Sequence, residues 1–209
     1  MRVLRENIVG LVLEPGAKVS ESELAQELGV SRTPVREALI ELGHYGIVET
    51  LPQNGVFISK IDYRNIEEAC FMRLALETQA VQDACDLATP EQLEELDDIV
   101  RIQQMYLDNK NVKMLLKMDN RFHRNIFAIC DKFLSYMLMQ CVSVHFDRVR
   151  QLSLAGGENI RIVDDHRDIV AAIRARDKKR AMRIMLTHLS RYKTDQTFIK
   201  EKYRHLIRE

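Results

Sequence analysis

Residues 31–39, SRTPVREAL, set two arginines four apart among small and apolar residues, directly after a Leu28-Gly29-Val30 turn. Helical periodicity places Val35, Ala38, Leu39 and Leu42 on one face, where they would pack on Leu24 and Leu28 of the preceding element. Arg32, Thr33 and Arg36 are then left near the amino-terminal end of the helix, pointing outward. Ser31 stands at the capping position. Upstream, SESE at 20–23 has the S-x-x-E spacing of a capping box and opens a short helix running to about Leu28. Before it, a helix is expected over roughly 2–13, stopped by Glu14-Pro15-Gly16. Downstream, GIVETLPQNGVFIS (46–59) alternates and is expected to turn at Asn54-Gly55, a short hairpin signal. Helix, helix, turn, helix and a two-stranded wing, in that order, predict a winged helix-turn-helix domain over residues 1–60.

Such a recognition helix offers its first residues to the major groove, where arginine can bond guanine and Thr or Ser can bond phosphate. The helix amino terminus itself favours phosphate. The wing tip, Gln53-Asn54-Gly55, is short and polar, suited to the DNA backbone or the neighbouring minor groove. Charge argues the other way. Residues 1–60 hold six Lys/Arg against eight Asp/Glu, a formal balance of minus two, whereas DNA-binding modules are usually basic. A winged helix used for protein contacts is the alternative; the two arginines gathered on one exposed end weigh against it.

The stretch from Pro15 to Ser59 resembles the DNA-binding domain of the GntR family of bacterial transcription regulators, with SRTPVREAL its most specific part. That resemblance implies DNA contacts at Ser31, Arg32, Thr33, Arg36, Asn54 and Gly55. Ser22 departs from the pattern, because some members carry a further DNA-contacting arginine there.

The other 149 residues have a different texture. Three of the four prolines and most glycines lie before residue 61, and the remainder reads as long helices. Ala88-Thr89-Pro90-Glu91-Gln92 is a helix start, with Thr89 as cap, Pro90 in the first position and Gln92 three past the cap. Gly156-Gly157 separates two helices and Asp177 caps a last one. Helices are expected near 63–87, 90–108, 111–130, 133–154, 158–175 and 178–206. The fold class is therefore mainly α: a winged helix-turn-helix followed by an all-α antiparallel bundle over 61–209.

Composition narrows the rest. The chain has 209 residues, 46% hydrophobic and 30% charged, with a formal net charge of zero. No global field draws it to nucleic acid or membrane, so any such partner must meet a local surface. The four cysteines (Cys70, Cys85, Cys130, Cys141) lack CxxC spacing and fall within apolar helical patterns, which suits reduced core thiols. No apolar run approaches the roughly 18 residues that span a bilayer, and the Ile8–Leu13 run is too short for a signal sequence. A cytoplasmic protein with no membrane partner is expected.

Within the bundle, three helices each turn a ligand-type residue onto an apolar stripe. Asp119 and His123 share a face with Ile126, Phe127 and Cys130. His166 aligns with Ile162, Ile169, Val170 and Ile173, and His188 with Ala181, Ile184, Met185 and Tyr192. One histidine so placed is more often a satisfied core residue than a ligand. Three with an aspartate are harder to place that way, because every buried polar group needs a partner, and a shared divalent ion would serve all four. Arg73, one turn before Glu77, and Arg148, aligned with Leu134, Cys141, Val144 and Leu152, also face inward. For Arg73 a structural ion pair with Glu77 is an equal alternative. An arginine beside a metal with open positions would suit a carboxylate.

This half resembles the ligand-binding domain of the FadR-like (FCD) branch of the GntR family. The matching pieces are RLALE at 73–77, DNRFH at 119–123, DDHRDIVAAI at 164–173 and AMRIMLTHL at 181–189. The resemblance implies a metal held by Asp119, His123, His166 and His188; zinc, nickel or manganese would suit such a set. It also implies a small organic acid as effector, for which Arg73 and Arg148 are the candidate partners. His44, His145 and His205 lie outside the pattern, although His145 could line the cavity. The function expected is a homodimeric regulator, not an enzyme, that reads a two-fold-related double-stranded operator under control of that acid. A regulator with the ion itself as signal, and a metalloenzyme acting on a small carboxylate, are the competing readings; no HExxH motif supports the latter.

Overall fold

The computed structural model describes residues 1–156 and 161–208. The amino-terminal part begins with α1 (Arg2–Val9), shorter than expected: Gly10 closes it and Leu11 turns into the left-handed region at φ 58°. Strand β1 (Lys18–Val19) leads to α2 (Glu21–Leu28), where Ser20 accepts a hydrogen bond from the Glu23 amide. Gly29 ends α2 in the left-handed conformation at φ 65°, which costs glycine no side-chain clash. Helix α3 (Arg32–His44) follows. Val35, Ala38, Leu39 and Leu42 bury its inner face in a core with Leu24, Ala25, Leu4, Ile8 and Ile47.

Strands β2 (Val48–Leu51) and β3 (Gly55–Ile58) pair antiparallel, and β1 adds to β3, giving the order β1-β3-β2. The third strand, β1, is the addition to the expected hairpin; two residues are too few to show alternation. The turn is also centred differently. The Asn54 amide bonds the Leu51 carbonyl at 3.0 Å, so Pro52 and Gln53 are the central pair, with Gln53 at φ 60°. Pro52 presets the first turn position, and Gly55 follows at φ 115°. A side chain at Gly55 would also meet Lys18 Cε at 2.8 Å.

The helical part contains α4 (Tyr63–Leu87), α5 (Pro90–Asp108), α6 (Val112–Ile129), α7 (Phe133–Gly156), α8 (Ile162–Arg174), α9 (Lys178–Ser190) and α10 (Tyr192–Lys202), with a 3-10 turn at Arg204–Leu206. Thr89 and Gln92 form the full capping box of α5. The expected start of α8 at 158, with Gly157 of the glycine pair, lies outside the described residues. The single last helix expected over 178–206 is divided at Arg191, between α9 and α10, and α10 ends at Lys202. Helix α4 runs through the middle and packs on α6, α7, α8 and α9. The largest apolar core joins these helices to α5 around Phe122, Ile126, Phe127 and Met185. Cys70, Cys85 and Cys130 are buried thiols and Cys141 is half-buried; all four are free.

Helix α7 is buried on two sides. Val144 belongs to the amino-terminal core, while Phe146, Val149 and Leu152 pack with α4 and Tyr192. Helix α1 also rests on α7, and Arg5 donates to Gln140 Oε1 at 2.9 Å. Beyond the helices, the carboxyl-terminal segment returns to the linker: Ile61 pairs with Ile207, and the Arg208 amide bonds the Ile61 carbonyl at 2.8 Å. No helix among the described residues is long and apolar enough to cross a membrane.

Candidate functional site

The helical part gathers one ligand-type atom each from Asp119, His123, His166 and His188 within 4.8 Å of one another. Helix α6 supplies Asp119 and His123 one turn apart, α8 supplies His166, and α9 supplies His188. All four side chains are at least nine-tenths buried. The three imidazoles are oriented from behind. His123 Nδ1 stands against Glu77 Oε2, His166 Nδ1 faces Gln103 Oε1 at 2.9 Å, and His188 Nδ1 faces Asp165 Oδ2 at 3.3 Å. An Nδ1 that donates to each of these acceptors leaves a lone pair on Nε2. The Nε2 atoms then converge: His188 lies 3.3 Å from that of His123 and 3.4 Å from that of His166. Asp119 completes the ring, 3.6 Å from His123 Nε2 and 3.5 Å from His166 Nε2.

Lone pairs aimed at one another repel unless something positive lies among them. Neither oxygen of Asp119 receives a well-directed hydrogen bond, although Arg150 stands against one of them. The donor set of three imidazoles and a carboxylate, with His166 and His188 hydrogen-bonded from behind and Glu77 standing against His123, fits a divalent metal ion.

The electrostatics agree with neutral imidazoles at His166 and His188. Burial, and then the neighbouring His188, hold His166 well below its usual value. Burial likewise lowers His188 against the opposing pull of Asp165. Burial alone would raise the Asp119 carboxyl, but Arg150 and the imidazoles keep it far below the ordinary carboxylate range. Glu77 is buried too, yet Arg73 and then His123 bring it down to about 2.

Beside the cluster is a small cavity lined in part by Arg150, Ser153, Arg161, His188, Arg191 and Tyr192. Arg150 contacts Asp119 and also donates to Asp147 at 3.2 Å. Arg191 grips Asp165 with two bonds of 2.6 and 2.7 Å, behind His188. Neither arginine expected to meet an effector lines this cavity. Arg73 is committed to Glu77 at 2.6 Å and lies over the Phe146 ring, so the ion-pair alternative describes its position. Arg148 faces the opposite side of α7, bonding the Ser59 carbonyl at 2.7 Å and His145 Nδ1 at 3.1 Å. His145 is turned to the same junction and away from the cavity. The stripe read through Arg148 does not pack as one: Val144 joins the amino-terminal core, Leu152 packs within the helical part, and Leu134 is exposed. Arg150, two residues on, is the inward arginine. Asp165, adjacent to His166 in DDHRDIVAAI, and Glu77, at the end of RLALE, lie in the segments that resemble the family; Gln103 carries no signal beyond helical periodicity.

In the amino-terminal part, Ser31, Arg32, Thr33 and Arg36 are all exposed at the start of α3, and Asn54 is exposed at the hairpin tip beside half-buried Gly55. The structure therefore leaves these groups open to an external partner. The sequence from residue 2 to 58 matches the family described as bacterial regulatory proteins, gntR family, and 68–191 matches the FCD domain. The HTH-type transcriptional repressor RspR of Escherichia coli is 30% identical over 90% of this chain and 83% of its own length. The chain belongs to the GntR family. An HTH-type transcriptional regulator in an unstable DNA locus of Streptomyces ambofaciens is 35% identical over 89% of this chain and 78% of its own. The fold agrees: Escherichia coli McbR/YncC superposes with a TM-score of 0.80 at 21% identity, covering 97% of this chain and 95% of that one. As a GntR-family member the protein is a DNA-binding transcription regulator, not an enzyme. Its helical half matches the FCD domain, as the resemblance of RLALE, DNRFH, DDHRDIVAAI and AMRIMLTHL implied.

Proposed function

We propose that this regulator is a cytoplasmic homodimer whose operator affinity is set by a small organic acid bound beside a divalent metal ion. Asp119, His123, His166 and His188 hold the ion. One observation carries this reading: His188 Nε2 lies within 3.4 Å of the Nε2 atoms of both His123 and His166, and a buried acceptor stands behind each of the three rings. When bound, the ion supplies a positive centre that can take a carboxylate oxygen of the acid. Arg150, at the edge of the cavity, supplies the second positive partner, in the role expected of Arg73 and Arg148. Arg191 stays on Asp165 and keeps His188 in place.

DNA is met by Ser31, Arg32, Thr33, Arg36, Asn54 and Gly55, on two copies facing a two-fold-related operator. Leu134, Met137 and Leu138 leave an exposed apolar stripe on α7, which supports association of two chains. Control is then a matter of linkage: an acid that binds one arrangement of the dimer better changes operator affinity by the same factor.

Elemental analysis of protein purified without a histidine tag tests the ion. It should show about one divalent ion per chain, as four protein ligands around one ion require. His166→Ala and His188→Ala should both lose it. Full occupancy in both variants would rule out the four-ligand site.

A further inference from the structure

The buried face of α7 that turns away from the metal cluster holds a guanidinium with no carboxylate of the described residues against it. Arg148 has no exposed surface, yet its hydrogen-bond partners are a backbone carbonyl and an imidazole. Burial pushes it down to about 10. Charge taken from water without an ionic partner is unfavourable, so its contacts must matter to the arrangement they hold. Those contacts are specific. Arg148 donates to the carbonyl of Ser59, where β3 ends and the linker to α4 begins. It also donates to His145 Nδ1, which fixes the neutral tautomer, so that His145 Nε2–H donates to the Tyr45 carbonyl at 2.7 Å. Tyr45 is the residue that closes α3, the helix carrying Arg32 and Arg36.

One helix thus touches both sites. Successive residues on an α-helix are about 100° apart, so Arg148 and Arg150 point to nearly opposite sides of α7. Arg150 reaches Asp119 in the metal cluster; Arg148 and His145 hold the amino-terminal part at two points, the end of α3 at Tyr45 and the end of β3 at Ser59. We infer that Arg148 and His145 form a latch that fixes the DNA-binding part on α7 and passes occupancy of the Asp119 site to it. The transmission half of this inference rests on the proposed metal site; the latch half does not.

The latch requires a neutral His145, because protonation would turn Nδ1 into a donor facing the Arg148 donor. The ionisable and polar groups around it are Arg148 and Cys141 on its own helix, Tyr45 after α3, and Asp62 and Asn65 at the start of α4. Asp62 is itself engaged by Arg64.

Amide hydrogen exchange on the full chain, with and without zinc, tests both halves. Arg148→Met removes the donor, and His145→Phe fills the ring's space without its bonds, which keeps the test valid if one variant folds poorly. Exchange at Tyr45–Ile47 and Ser59–Ile61 should be at least about tenfold faster in either variant, with zinc affinity within about threefold of the original. Zinc should alter exchange at those amides in the unsubstituted protein and leave them unaltered in the variants. Unchanged junction exchange in both variants would overturn the latch. Faster exchange with an intact zinc response would overturn transmission. If zinc fails to bind the unsubstituted protein, the metal reading and transmission fall together, and the zinc-free comparison still decides the latch.

Discussion

Asp165→Asn separates holding the metal from holding the fold. Asp165 is mostly buried, accepts from His188 Nδ1 at 3.3 Å, and takes two bonds from Arg191 at 2.6 and 2.7 Å. It does not itself reach the ring of Nε2 atoms, so its effect on an ion must run through the orientation and basicity of His188. Loss of such an outer partner typically costs ~10–100-fold in metal affinity. Asparagine keeps an oxygen in place, so the lower end applies: about tenfold, or roughly 1.4 kcal/mol. The ion pair with Arg191 contributes less, because that side chain is 34% exposed and solvent screens it. Its loss should cost no more than about 1 kcal/mol, lowering the melting temperature of the metal-free protein by about 2–4 °C. Calorimetric zinc titration and thermal melts of tag-free protein read the two effects separately, with the exposed neighbour substitution Asp164→Asn as control. Zinc affinity within twofold of the original would refute the orienting role. A collapse of metal-free stability much beyond ~1 kcal/mol would make Asp165 a folding residue instead.

Three further outcomes are expected. Arg32→Ala and Arg36→Ala should each weaken binding to an operator selected from random DNA by about 1–3 kcal/mol at fixed salt, with unchanged melting; full affinity in both would remove them from the interface. Burial lowers His145 below its ordinary 6.5, so its neutral form stabilises the fold fully above that pH, and the contribution is lost as pH falls through the lowered folded value. Melts from pH 8 to 5 should therefore show an acid decline that His145→Gln reduces, since the amide can copy both hydrogen bonds without titrating; identical profiles would exclude this contribution. Thr89→Ala should remove the capping box of α5 at a cost of about 1 kcal/mol, seen as a lower denaturant midpoint at constant slope.

The helix-turn-helix was legible because its signals are local. Ser20 and Glu23, Gly29, and the buried spacing of Val35, Ala38, Leu39 and Leu42 each act within a few residues of where they stand. Strand β1 was not, since Lys18-Val19 gains its structure only by pairing with Phe57 and Val56. The hairpin tip was legible as a turn but not in its centre: Pro52 imposes its own φ and outweighs the Asn-Gly pair that follows. In the bundle, periodicity brought Asp119, His123, His166 and His188 to one place, because each lay on an unambiguous apolar stripe. It failed for Arg148. Helix α7 is buried on two sides, and a stripe does not reveal which body covers it. Arg150 has Phe146 and Leu154 one turn to either side, as Arg148 has Val144 and Leu152, so spacing alone did not distinguish the two arginines. The interruption at Arg191 also left no breaker in the sequence, since α9 ends without glycine or proline and Arg191 keeps helical φ and ψ.

The central claim joins an ion, an acid and DNA, and calorimetry of a panel of small carboxylates against metal-loaded and metal-free protein tests it most directly. The account predicts that an acid able to shift operator affinity binds the loaded protein, binds the metal-free protein far more weakly, and loses affinity in Arg150→Met while the ion stays bound. In a buried site the acid would lose its main opposite charge with the metal, and little water would be there to replace it. Equal binding to both forms would contradict the account.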